Sequence, residues 1–212
     1  MNSNKEILKP LRVLIADDVL ETRRTTRLML AENPSVEIVA IAHNGREAIE
    51  LAQVHDPDIA LLDVNMPEVN GFEAYEAMRQ INPDIACIII SAEKDNESFR
   101  SAMRVGAREY LTKPYTIDEL NNAVNKVGEI VWEKRKQSSE AERLKVQRKA
   151  FLKHLAHEYA KTRRTDDQAI EVYEQLAEYP NCELRWLRTL AMIYVIREEW
   201  YKLQLLAERL TH

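Results

Sequence analysis

The chain has 212 residues, a formal charge of −5, 31% charged residues and 7% aromatics, which allows one domain of ordinary size plus a smaller one. This balance carries no global signature of nucleic-acid binding and implies no electrostatic partner. The two cysteines, Cys87 in an apolar run and Cys182 in an Asn-Cys turn, are too far apart in sequence to read as a disulfide framework or zinc cluster and are expected to be free thiols of a reducing, cytoplasmic compartment.

Residues 1–9 are expected to be disordered; they lack the apolar core of a leader, and no stretch approaches the roughly 20 apolar residues needed to span a bilayer. From Leu11 the pattern alternates: RVLIA, an amphipathic stretch to Asn33, VEIVAIA, GREAIELAQVH, IALLD, GFEAYEAMRQI, ACIIIS, SFRSAMRVG, EYLT, then a long helix from Thr116. Five short, β-branched-rich runs separated by helical segments predict a doubly wound parallel sheet over residues 10–132, because parallel strands need crossover connections. After about Asn122 the strand signals stop. Residues 133–150 read as a charged connector helix with a weak point at Gln137, Ser138 and Ser139. Val124, Val127 and Val131 have heptad spacing, which opens a coiled-coil reading, but the pattern lapses at Lys134 and Ser138.

Residues 151–212 are helical in pattern and repeat themselves. Leu155, Ala156 and Tyr159 match Leu190, Ala191 and Tyr194 at an offset of 35, and Ala169, Tyr173 and Leu176 match Leu203, Ala207 and Leu210 at an offset of 34. A helix-turn-helix unit recurring at this interval resembles the tetratricopeptide repeat. With two copies and no Gly in the turn at Arg163 to Thr165, a helical bundle stays open as the alternative. The aromatics Tyr159, Tyr173, Trp186, Tyr194 and Trp200 are expected mainly in the core, and His154 and His157, three apart without a third ligand, read as a solvated face.

Chemistry is expected at the carboxyl ends of the strands, where a doubly wound sheet opens a crevice. Asp17 and Asp18 follow the first strand and Asp63 ends the third. Any one alone reads as a cap. Together they would repel, and a hard divalent cation such as magnesium is the natural counterion. Ser91 and Ala92 end the fourth strand and Lys113 follows the fifth. A hydroxyl, an ammonium and a cation around one carboxylate can neutralise a phosphoryl group on Asp63, which would then be a nucleophile forming an acyl phosphate.

The pair Asp17 and Asp18, the phrase LLDVNMPEVNG, the Ser91-Ala92 pair and the REYLTKP ending at Pro114 resemble the receiver domain of two-component response regulators. The resemblance implies phosphorylation of Asp63 by a sensor histidine kinase or phosphotransfer protein. It implies Mg2+ bound by Asp18, Asp63 and the backbone carbonyl of Asn65, with Asp17 acting through water. Ser91 would be the switch hydroxyl, Lys113 the phosphoryl-binding lysine and Tyr110 the aromatic that swings inward as Ser91 is drawn to the phosphoryl group. Asn65 and Glu93 match the flanking pair of the chemotaxis receiver, implying a short-lived phosphoryl group. A haloacid-dehalogenase-like phosphatase would need an acid where Asn65 stands, so the domain is expected to catalyse only its own phosphotransfer and dephosphorylation.

The output is expected to be protein interaction through the helical tail, with a homodimer as its expected assembly. The alternative is a DNA-binding transcriptional regulator. Against it, the basic cluster Lys134, Arg135, Lys136, Arg143, Lys145, Arg148 and Lys149 is interleaved with Glu133, Glu140 and Glu142, and the helix after Arg163 and Arg164 is acidic.

Overall fold

The computed structural model describes residues 9–92 and 96–211. The expected disordered N-terminus, apart from Lys9, and Glu93 lie outside the described residues. The strands are β1 (Leu11–Ala16), β2 (Val36–Ala42), β3 (Ile59–Asp63), β4 (Ala86–Ser91) and β5 (Glu109–Thr112), in the parallel order β2-β1-β3-β4-β5. Helices α1 (Leu20–Ala31), α2 (Gly45–His55), α3 (Gly71–Ile81), α4 (Asn96–Val105) and α5 (Ile117–Lys161) provide the crossovers and the exit. The doubly wound α/β expectation holds.

Burial explains the composition of the strands. Every residue of β3 and β4 is buried, so neither can alternate polar and apolar positions. The edge strands β2 and β5 are less covered and carry Glu37 and Glu109. One core packs α2 and α3 on one face of the sheet through Leu14, Leu62, Tyr75, Met78 and Ile89. The other packs α1 and the start of α5 through Leu11, Leu30, Leu61, Ile88 and Leu120. Burying each Leu or Ile stabilises the fold by about 2 kcal/mol before entropy is charged against it.

The heptad-spaced valines Val124, Val127 and Val131 belong to this second core. Their spacing serves attachment of α5 to the sheet rather than a coiled-coil seam. Helix α5 also runs without a break through Gln137, Ser138 and Ser139, where the sequence pattern placed a weak point. Gln and Ser lower helix propensity only slightly, and propagation is easy once each end is anchored.

The chain divides into two compact units, residues 1–136 and 137–212, with the division inside α5. In the second unit, the end of α5 packs with α6 (Asp167–Ala177), α7 (Leu184–Ile196) and α8 (Trp200–Thr211). Its core holds Leu152, Ala156, Ala169, Tyr173, Trp186, Leu190, Tyr194 and Leu206. Tyr173 donates from its hydroxyl to the Ala156 carbonyl at 2.9 Å, satisfying the one polar atom of that ring. Trp200 departs from the core expectation: it is 61% exposed at the first position of α8. Among the described residues, no helix is long and apolar enough to cross a membrane.

Candidate functional site

The strand order reverses between β1 and β3, and their carboxyl ends deliver Asp17 and Asp63 to the same crevice. Both carboxylates are buried, Asp17 at 3% exposure and Asp63 at 4%. Lys113, immediately after β5, bridges them: its Nζ donates to Asp17 Oδ2 at 2.6 Å and to Asp63 Oδ1 at 2.5 Å. The remaining carboxylate oxygens are also engaged. Asp17 Oδ1 accepts from the Val19 backbone at 2.9 Å, and Asp63 Oδ2 accepts from the Asn65 backbone N–H at 3.0 Å.

The loop framework follows from local contacts. The Lys113 backbone N–H donates to the Ser91 carbonyl at 2.7 Å, which carries the β4–β5 ladder past the strand ends. Lys113-Pro114 is a cis peptide bond. Val64 N–H donates to the Ile90 carbonyl at 3.0 Å, holding the chain after Asp63 against β4. Gly71 opens α3 beside this turn, where an added Cβ would lie 2.2 Å from the Asp63 carbonyl oxygen. Only glycine admits that approach.

Burial pushes the Asp63 carboxyl above its ordinary range, Lys113 pulls it back, and the negative charges of Asp17 and Asp18 push it up again. Burial works against the Lys113 ammonium, but its hydrogen bonds to Asp17 and Asp63 outweigh that and hold its pKa above 10.5. Two desolvated carboxylates thus share one ammonium and retain a negative charge. This donor set fits a hard divalent cation.

The expected site residues divide into those that meet and those that do not. Asp17, Asp63 and Lys113 meet. Asp18 is exposed and acts on Asp63 through its charge. Both residues lie just past the end of β1, Asp17 buried and Asp18 open to solvent within reach of Asp63. Among the described residues no group of three His, Cys, Asp or Glu side chains is gathered as a metal cluster; Lys113 joins two of the three expected carboxylates, and the third, Asp18, reaches Asp63 by its charge. Ser91 is fully buried at the end of β4 and Ala92 is exposed. Tyr110 is half-buried on β5, with Phe99 edge-on at 5.8 Å.

Three contributors escaped the sequence reading. Arg23 on α1 donates from Nη1 to the Asp17 carbonyl at 2.5 Å. Thr26, buried on the same helix, shares a 2.7 Å hydrogen bond with the Tyr115 hydroxyl, tying α1 to the segment after Lys113. Phe99 is the third. No local pattern marked them: Thr26 shares its helical face with Thr22 and Arg23 as well as Leu30, and its bond to Tyr115 spans 89 residues.

A five-stranded parallel sheet carrying two bridged carboxylates and a lysine at its switch point defines a phosphoryl-receiver class of domain. The chain belongs to the response regulator receiver domain family, whose pattern matches residues 13–125. Chemotaxis protein CheY of Bacillus subtilis is 34% identical over 115 residues, covering 54% of this chain and 95% of CheY. The transcriptional regulatory protein DegU of Brevibacillus brevis is 34% identical over 129 residues, 61% of this chain, and the chain spans about half (52%) of DegU's length. The receiver domain of AraT, a response regulator from Geobacillus stearothermophilus, superposes with a TM-score of 0.54 at 32% identity over 61% of this chain and 98% of that one. Receiver domains generally bind Mg2+ for phosphorylation.

Proposed function

We infer that the chain is a two-component response regulator that accepts a phosphoryl group on Asp63 from a sensor histidine kinase or phosphotransfer protein and passes the signal to its helical tail. The observation that carries this reading is the double bridge from Lys113 to Asp17 and Asp63 at the sheet's switch point. In the transfer, an Asp63 carboxylate oxygen bonds to phosphorus as the donor's bond to phosphorus breaks, leaving an acyl phosphate. Lys113 holds Asp63 in position beforehand and offsets the added charge afterwards. Mg2+ would be held by Asp18, Asp63 and the Asn65 carbonyl, with Asp17 through water, and would supply further charge neutralisation. Ser91 would donate to the phosphoryl group, Ala92 would leave room beside it, and Tyr110 would turn into the vacated space. The half-buried position of Tyr110 against Phe99 supports a ring with two available packings.

The domain then acts on its own phosphoryl group and not on other substrates. The tail, a pair of tetratricopeptide-like helical hairpins in this reading, mediates protein interaction in the cytoplasm, with a homodimer as the working assembly. DegU, named as a transcriptional regulator, supports a second reading in which the output binds DNA. A mobility-shift assay at stated salt separates the two, because an adaptor gives only weak, salt-labile retention.

Incubation with acetyl phosphate and magnesium should add the mass of one phosphoryl group, and Asp63→Ala should abolish the addition. Absence of added mass, or its persistence in Asp63→Ala, overturns the reading.

A further inference from the structure

The second unit carries an apolar groove on its helices. Helices α6, α7 and α8 enclose a volume of about 850 Å3 with a floor that includes Leu190, Leu205 and Leu206. Among the described residues the rim sets Glu174, Glu178 and Glu208 against Lys202. Lys202 is committed to Glu174 at 3.3 Å and Glu199 at 3.0 Å. Tyr194 also donates its hydroxyl to Glu174 at 2.7 Å, so Glu174 is satisfied within the fold. Glu178 is exposed at the end of α6, and no ion pair to it occurs among the described residues. The groove therefore asks for an apolar side chain flanked by positive charge.

The same unit displays such a segment elsewhere. Every residue of α5 from Lys136 to Arg148 is exposed, and within it Arg143-Leu144-Lys145 sets a leucine, 61% exposed, between two cations. Lys145 has only a 3.9 Å surface pairing with Glu142, worth little in water. A helix exposed all round gains nothing from burial and is stable only through its anchored ends or through a partner. Leu144 cannot enter the groove of its own chain. Helix α5 runs on unbroken to Leu152 and Ala156, which are fixed in the core of the unit, so bending back would break the helix.

We propose that the α6–α8 groove receives the Arg143-Leu144-Lys145 segment of a second copy of the chain. Leu144 seats on the leucine floor, and the flanking cations reach the rim at Glu178. Each copy lends one helix and receives one, giving a closed two-fold dimer. The proposal gives the homodimer reading above its interface, and it is tested on the untreated chain, so it stands or falls apart from phosphoryl transfer.

Sedimentation velocity on the full chain, from micromolar to hundreds of micromolar, should show a dimer that weakens as salt screens the rim. Leu144→Asp and Glu178→Lys, both at exposed positions, should each weaken association by roughly tenfold or more, with thermal melts confirming that the fold is kept. Reversing Arg143 and Lys145 to Glu should do the same, and combining that reversal with Glu178→Lys should restore the dimer. A chain monomeric throughout leaves the groove to a foreign segment and overturns the proposal. So does a dimer insensitive to these changes, or a combined variant weaker than either parent.

Discussion

Asp63 is held in the crevice at a cost. Its pKa is raised above 3.8, chiefly by burial, so the folded state binds that proton more tightly than the unfolded chain does. Its contribution to stability is present at low pH and is lost as pH rises through the carboxylate range. Replacing it by Asn keeps the shape and removes the buried charge. Asp63→Asn should raise the melting temperature at neutral pH by roughly 3 °C, with the gain shrinking as pH falls through the raised pKa. A gain that grows on acidification would refute this. Lys113 has the opposite window: its raised pKa means a contribution that is full below 10.5 and fades as pH climbs past the folded value. Asp17, Asp63 and Lys113 were readable from the sequence because each stands where an apolar strand ends. The exposure of Asp18, the Arg23 contact and the Thr26 to Tyr115 bond were not, because each depends on which way a side chain turns or on a contact between distant segments.

At the level of elements, α3 begins with a capping box. Asn70 accepts from the backbone of Phe72 and Glu73, each at 3.0 Å, while Glu73 accepts from the Asn70 backbone at 3.1 Å. This fixes the first turn of α3, where Gly71 abuts the Asp63 carbonyl. Asn70→Ala should cost about 1 kcal/mol in urea unfolding, and no measurable loss would mean that packing of Ala74 and Met78 alone sets the start of the helix. The five strands were legible because buried parallel strands must be nearly continuous in apolar residues. The heptad spacing in α5 was ambiguous, because a sheet-packing helix and a coiled coil both repeat their apolar positions every three to four residues. The sheet took those valines.

On the scale of the molecule, the two units have separate cores, and the stretch of α5 from Lys136 to Arg148 is exposed throughout. Trypsin applied at low protein concentration should cut first at Lys136, Arg143 or Lys145, leaving a receiver fragment identifiable by mass. Raising the concentration should protect Arg143 and Lys145 if they enter a second copy's groove. Earlier cleavage inside α6 or α7 would show that the exposed helix is not the weakest segment.

The order of strands and helices, the parallel sheet and the placement of acids, hydroxyl and lysine at strand ends were written in residue order, because burial pattern and strand-end position are local properties. Pairing of Asp17 with Asp63 through one ammonium, diversion of the α5 valines into a core, exposure of Trp200 and the acidic groove of the tail were decided by tertiary structure. Each depends on which distant surfaces meet, and hydrophobic burial, being non-directional, leaves that choice to the packing of the whole chain.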